Sequence, residues 1–178
     1  MSSKLPYVSK YLYMLQLRPA VPDDIPALQS LILDHGANEW NHLPEEEVKA
    51  HLAAIADSSV RGVVAQEAGE VVGVMTYEMG IFYPEYEPSP DTIHGYVAEG
   101  VVHRDLVGRG IGVQLMEEVI RILAGEGIRH IYAKRHEENP FSKRLLEKTG
   151  FEEVATFDDP LIRPTGTRRT TVCRYVVK

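Results

Sequence analysis

The order of hydrophobic periods along this 178-residue chain predicts a mixed α/β sandwich, with elements in the order βααβββαβαββ. Three observations carry that reading. Stretches of helical period do not alternate one for one with strand-like stretches, so a wound parallel sheet is not expected. A valine-rich hairpin lies in the first half of the chain. In the second half the run VGRGIG, Val107 to Gly112, connects the apolar stretch GYVAEGVVHRD to an amphipathic helix.

After a polar start, LYMLQLRPA reads as the first strand. Asp23 or Asp24 is placed to cap a helix in which Ile25, Leu28, Leu31 and Ile32 recur at helical spacing. In PEEEVKAHLAAI, Pro44 suits a first helical turn and Glu45 to Glu47 face the positive end of the dipole. Val48, Leu52 and Ile55 form one apolar stripe of that second helix. Arg61 to Glu67, the turn Ala68-Gly69-Glu70 and Val71 to Tyr77 make the hairpin. Glu78 to His94, with Pro84, Pro88 and Pro90 among acids and aromatics, reads as a long functional loop. Gly95 to Val102 is the next strand, followed by the glycine turn and a helix bearing Ile111, Leu115, Val119 and Ile122, closed by Gly125 and Gly127. Ile128 to Lys134 is a strand, Asn139 and Pro140 open a helix that ends at Gly150, and two strands, Phe151 to Phe157 and Arg169 to Val177, finish the chain.

Length favours one domain over residues 1–178. The run Tyr11 to Leu15 is strand-sized, no run suits a bilayer, and the N-terminus lacks the pattern of a signal peptide, so a cytoplasmic protein is expected. A formal charge of -7 argues against wrapping nucleic acid. The single cysteine, Cys173, excludes an internal disulfide and reads as a buried strand residue. The seven histidines are scattered, and no metal site is expected.

The glycine turn is the candidate for chemistry. A strand running through such a turn into a helix start leaves several backbone N–H groups converging at the positive end of the helix dipole, a seat for phosphate. Glycine pairs also occur where a helix merely packs close to a strand, so the turn alone leaves both readings open. A nucleotide-binding phosphate loop fits poorly, because no Lys-Ser/Thr follows the glycines.

Two motifs together narrow this. VVHRDLVGRGIGVQLMEEVI, then a strand, then ENPFSKRLLEKTGF, resembles the acetyl-CoA site of the GNAT superfamily of N-acetyltransferases. The family's Q/R-x-x-G-x-G/A falls on Val107, Gly108, Arg109, Gly110, Ile111 and Gly112, with both glycines matched and the first position not. Its N-x-x-A-x-x-x-Y-x-x-x-G-F falls on Asn139, Ser142, Leu146, Gly150 and Phe151, with leucine in place of the tyrosine that protonates the departing thiolate in many relatives. The resemblance implies a mostly antiparallel sheet of about seven strands flanked by four helices and splayed between the fourth and fifth strands. It further implies that residues 12–94 shape the acceptor site, that 95–157 form the acetyl-CoA core, and that 158–178 supply a closing loop and strand.

Site residues follow from the same resemblance. Val101 and Val102 pair through their backbone with the pantetheine arm, and Val107 to Gly112 hold the pyrophosphate. Arg109, with Lys143 and Arg144 near the second helix start, is placed to reach a phosphate, and Asn139 and Ser142 to contact the CoA arm. Each of the cations reads equally as solvated surface, and Asn139 as a plain helix cap. Glu99, just before the turn, is the candidate general base if partial burial lifts its pKa toward neutral. Trp40, with Glu39, and Tyr83 and Tyr86, among Glu78, Glu85, Glu87 and Asp91, are candidate walls for an amine. With leucine at position 146, either water or one of Tyr83, Tyr86 and Tyr132 replaces the acid, or the thiolate leaves unaided. The expected activity is direct acetyl transfer from acetyl-CoA to a primary amine on a small molecule or peptide, without metal, membrane or nucleic acid, in a possible homodimer. The competing reading is a CoA-binding sensor without catalysis.

Overall fold

The computed structural model describes residues 14–178, so Tyr11 to Tyr13, which begin the expected strand-sized run, lie outside the described residues. Seven strands form one sheet: β1 (Gln16–Pro19), β2 (Arg61–Glu67), β3 (Glu70–Gly80), β4 (His94–Val102), β5 (His130–His136), β6 (Glu152–Asp158) and β7 (Arg169–Val176). The helices are α1 (Ile25–His35), α2 (Glu45–Ala53), α3 (Ile111–Gly125) and α4 (Pro140–Lys148). The spatial order is β1-β2-β3-β4-β5-β7-β6, with β4 and β5 parallel and all other neighbours antiparallel. The expected sheet of seven strands and four flanking helices is therefore present, with its change of direction at β4 and β5.

Each face of the sheet has its own core. Leu115, Val119 and Leu123 of α3 and Leu146 of α4 pack with Val63, Met75, Val97 and Ile131. On the other face Leu28 and Ile32 of α1 and Leu52 of α2 pack with Val64, Val74 and Val101. Burying each such side chain contributes about 1.5–3 kcal/mol relative to exposure, which fixes the sheet between the helices. Cys173 lies in β7 and is buried, as its apolar neighbours suggested.

Three local expectations are corrected. Asp24 does not cap α1 with its side chain; a 3₁₀ turn, Pro22–Asp24, intervenes. Its carboxylate instead accepts from both terminal nitrogens of Arg18, at 2.7 Å each, and from Val21 N–H at 2.8 Å. Pro44 stands just before α2 in extended backbone (φ -60°, ψ 128°) rather than in its first turn. The long loop is shorter than proline content implied, because β3 continues through Glu78 to Gly80 and β4 starts at His94.

Candidate active site

The glycine turn has the geometry its sequence demands. Gly108 and Gly110 both take left-handed backbone, φ +89° and +80°, where a side chain costs steric strain, and nothing lies within 4 Å of where a Cβ would stand on either. Gln114 N–H bonds to Gly110 O at 3.1 Å and closes the first turn of α3, so the amides of Ile111, Gly112 and Val113 have no acceptor four residues back. Val107 is exposed, and Ile111 anchors the helix start in the core. The outcome is an open cup of N–H groups at a helix N-terminus, able to receive a pyrophosphate through backbone alone. Arg109 is turned aside: both its terminal nitrogens hold the Glu67 carboxylate, at 3.0 and 2.6 Å.

Beside the cup the sheet opens. The β4–β5 ladder runs only from Gly95↔Ile131 to Val97↔Ala133, while β5 continues to His136 paired with β7 alone. From Ala98 to Val102 the edge of β4 that faces β5 is therefore unpaired, and Val101 and Val102 lie in that stretch while their other edge pairs with Val74 and Gly73 of β3. A bulge sets the same segment. Met75 pairs with Gly100 and Tyr77 with Val97, so one residue of β3, Thr76, stands against two of β4, Ala98 and Glu99, and β4 carries the extra residue. Thr76 fastens the bulge: its Oγ1 accepts from Glu99 N–H at 3.0 Å and lies 2.9 Å from His51 Nε2 of α2. Burial holds the His51 pKa below its ordinary value and favours the neutral ring, which can accept the hydroxyl proton.

Glu99 thus stands where the strands part. Burial raises its carboxyl to about 7, against the opposing pull of Lys134 and Arg163. A carboxylate with that pKa exchanges protons at neutral pH. Glu78, on the same strand as Thr76, is also raised by burial. Tyr96 and Tyr83 cluster with Glu99, their rings 6.1 Å apart, and burial pushes both phenols up, Tyr83 to about 12.

The expected acceptor walls are partly redistributed. Tyr83 and Tyr86 stack at 6.1 Å and pack on Tyr132. Trp40 lies away from them, its ring 6.2 Å from Phe141 at the start of α4, on the donor side. The 158–168 segment reaches the Trp40 side, where Thr165 donates its hydroxyl to Glu39 O. Glu87 does not decorate an acceptor surface. Its carboxylate is buried, accepts from Tyr132 OH at 2.7 Å and His130 Nδ1 at 2.7 Å, and so straps the 81–93 loop to β5. Burial alone would raise Glu87, but those two bonds outweigh it and the pKa falls below the ordinary carboxylate value. His94 completes the strap by accepting from Phe82 and Tyr83 N–H, at 2.8 and 3.1 Å.

Asn139 is a helix cap: its Oδ1 accepts from Phe141 N–H at 3.1 Å and Ser142 N–H at 3.2 Å, which leaves the Ser142 side chain as the nearer candidate for CoA contact in that turn. Lys143 and Arg144 are exposed on α4. Leu146 is buried in the α3-side core, so no proton donor stands at the position of the family tyrosine. Among the alternatives, burial and its bond to Glu87 raise Tyr132 to about 12. Reasoning from sequence missed Thr76, His51, Tyr96 and Arg163. Tyr96 carried a signal as an aromatic in an apolar strand; nothing local marked Thr76, His51 or Arg163.

An open amide cup beside a parted, bulged strand with a neutral-range carboxylate suits a transferase that takes its acyl group from a phosphate-bearing carrier. Residues 25–151 match the family described as Acetyltransferase (GNAT) family, and the chain belongs to that family. It is 32% identical over 152 residues to a phosphinothricin N-acetyltransferase of Streptomyces coelicolor, covering 80% of this chain and 85% of the relative. Its fold is similar to Arabidopsis thaliana NAA60 in complex with acetyl-CoA (TM-score 0.74, 16% identity, 92% of this chain and 99% of that one). It is similar also to a ribosomal-protein-alanine N-acetyltransferase from Brucella melitensis (TM-score 0.70, 22% identity, 91% and 99%). The protein is an acyltransferase whose acetyl donor is acetyl-CoA.

Proposed function

We propose that the protein transfers the acetyl group to a primary amine by direct attack within a ternary complex, with Glu99 as the general base. The observation that carries this reading is the Glu99 carboxyl, raised to about 7 at the one place where β4 leaves β5. The relative's name as an N-acetyltransferase supports a nitrogen acceptor.

Acetyl-CoA supplies, when bound, an acetyl thioester open to nucleophilic attack. Its pyrophosphate suits the amides of Ile111, Gly112 and Val113, and its extended arm suits the unpaired edge of β4 from Ala98 to Val102. N–H groups on that edge also serve to stabilise negative charge on the carbonyl oxygen. Glu99 removes a proton from the acceptor ammonium and frees the nitrogen lone pair; the new C–N bond forms as the C–S bond breaks. The sulfur leaves as thiolate, and its moderate basicity makes a side-chain acid dispensable, in keeping with Leu146.

Acceptor-dependent release of free CoA thiol, measured across a panel of amines that includes phosphinothricin, tests the proposal. Release with at least one amine is the expected result. The want of a proton donor at Leu146 also fits a second reading, a CoA binder without transfer; stabilisation by acetyl-CoA with no release for any amine would establish it. At a hundred times its dissociation constant the ligand adds about 2.7 kcal/mol of stability.

A further inference from the structure

Acetyl transfer assigns α2 no part, yet this helix reaches the strand that carries the base. His51 lies in its last turn, half-buried, and its Nε2 stands 2.9 Å from Thr76 Oγ1 on β3. Thr76 Oγ1 in turn accepts from Glu99 N–H at 3.0 Å. The β5-facing edge of β4 is unpaired from Ala98 onward and the bulge interrupts the β3 ladder at the same place, so this side-chain bond ties the Glu99 peptide to the sheet. The Thr76 hydroxyl has one proton and two acceptors within reach, His51 Nε2 at 2.9 Å and Glu99 O at 3.5 Å. Distance favours the imidazole, because a bond stretched to 3.5 Å is weak. That choice needs an unprotonated Nε2, and the surroundings supply it. α1 packs Leu28, Leu31 and Ile32 into the core that also holds Leu52 of α2. Among the described residues no carboxylate pairs with the ring, Glu47 one turn back on α2 and Glu78 beyond Thr76 on β3 included, and burial keeps it neutral. A hydroxyl that donates is also the better acceptor.

We propose that His51 is a positioning residue for the general base: by taking the Thr76 hydroxyl proton it leaves the oxygen's lone pairs to Glu99 N–H and so fixes the bulge that aims the Glu99 carboxyl. This role rests on the reading of Glu99 as general base. A helix from the N-terminal half thereby acts on the chemistry through a single hydroxyl.

The test uses the full-length protein, an amine that the panel identifies, with phosphinothricin tried first, and two variants. His51→Phe keeps a ring and removes the acceptor; His51→Gln keeps an acceptor at the reach of Nε2. In His51→Phe kcat should fall roughly 2- to 10-fold, the range of one neutral hydrogen bond, with the KM and the melting shift for acetyl-CoA unchanged. The pH midpoint of kcat/KM should drop below 7, because a loosened bulge admits water to a carboxyl that burial had raised. His51→Gln should restore both. Added to Glu99→Gln, His51→Phe should cost no further turnover, since it acts only through the carboxyl. The same displacement should appear without any acceptor, in a carbon NMR titration of the Glu99 carboxyl. A midpoint kept at 7 in His51→Phe, or losses that add to those of Glu99→Gln, would overturn the positioning role and leave Glu99 as base. Full turnover in Glu99→Gln itself would remove the base and the role of His51 with it.

Discussion

The donor half and the acceptor half of this site are built from different materials. On the proposed donor side the candidate groups are backbone amides, presented by two left-handed glycines and a helix start, and the side chains nearby are turned elsewhere: Arg109 to Glu67, Asn139 to its own helix, Leu146 into the core. On the proposed acceptor side the candidate groups are side chains, Glu99, Tyr96 and Tyr83, delivered from a strand and a loop and shifted by burial. Backbone recognition tolerates substitution at most positions and demands glycine at a few. Side-chain recognition is sensitive at every contributing residue.

That contrast predicts its largest effect at Glu99. Glu99→Gln keeps shape and removes the base, so turnover should fall roughly 100-fold, the usual contribution of general-base catalysis, with the stabilisation by acetyl-CoA unchanged. The pH dependence supplies the sign. Glu99 acts as base when ionised, so kcat/KM should rise with pH through about 7 and level off above, and the variant should lose that limb. Stability runs the other way. A folded-state pKa raised above the ordinary 4.5 favours the protonated fold, so this contribution is complete below about 4.5 and is lost as pH climbs through 7. Between pH 5 and pH 8 the wild type should therefore lose more stability than Glu99→Gln, by at most about 3 kcal/mol. Parallel melting curves would remove the buried carboxyl from the account.

The next effect belongs to the backbone. Gly108→Val with Gly110→Val forces two β-branched residues into left-handed backbone and sets side chains at the mouth of the cup. The KM for acetyl-CoA should rise roughly tenfold or more, with the pH profile still centred near 7, because Glu99 is untouched. An unchanged KM would mean that the pyrophosphate is held elsewhere.

The same contrast explains what could be read from the chain alone. Glycines at fixed spacing between a strand and a helix leave close packing and a backbone site both open; VGRGIG became legible as a backbone site only together with ENPFSKRLLEKTGF, and the cap at Asn139 was legible from the Asn-Pro pair. The strands and helices were legible from their periods. The acceptor side was not, because its members come together only through tertiary pairing. Glu99 was found as a carboxylate close to the turn, but the bulge that aims it depends on register between β3 and β4, and its anchor Thr76 is a routine strand residue until the strands are paired. Acidic residues in the 78–94 stretch suggested a cation site. One of them, Glu87, is consumed by His130 and Tyr132, which no local pattern records.

Thr76 gives a smaller effect that joins the two halves, since it is a side chain that shapes backbone. Thr76→Val preserves volume and deletes the acceptor of Glu99 N–H and the partner of His51. A loss of about 1–2 kcal/mol in stability is expected from the orphaned groups, with kcat lowered several-fold and the pH midpoint displaced from 7. Thr76→Ser should restore both. Restoration of stability without the pH midpoint would separate holding the bulge from tuning Glu99.

The smallest effect is the sharpest test of the donor half. Arg109 occupies the centre of the glycine motif and is the obvious cation for a phosphate, yet its guanidinium is already bidentate on Glu67. Exposed pairs of this kind are worth little to stability. If the cup works through amides, Arg109→Ala should change the KM for acetyl-CoA by less than about threefold, well under the 1.5–3 kcal/mol of a direct charge-assisted phosphate contact. A rise of tenfold or more would show that the guanidinium leaves Glu67 when CoA binds. In that case Glu67→Ala should tighten binding by freeing it, and the donor half would rely on a side chain after all.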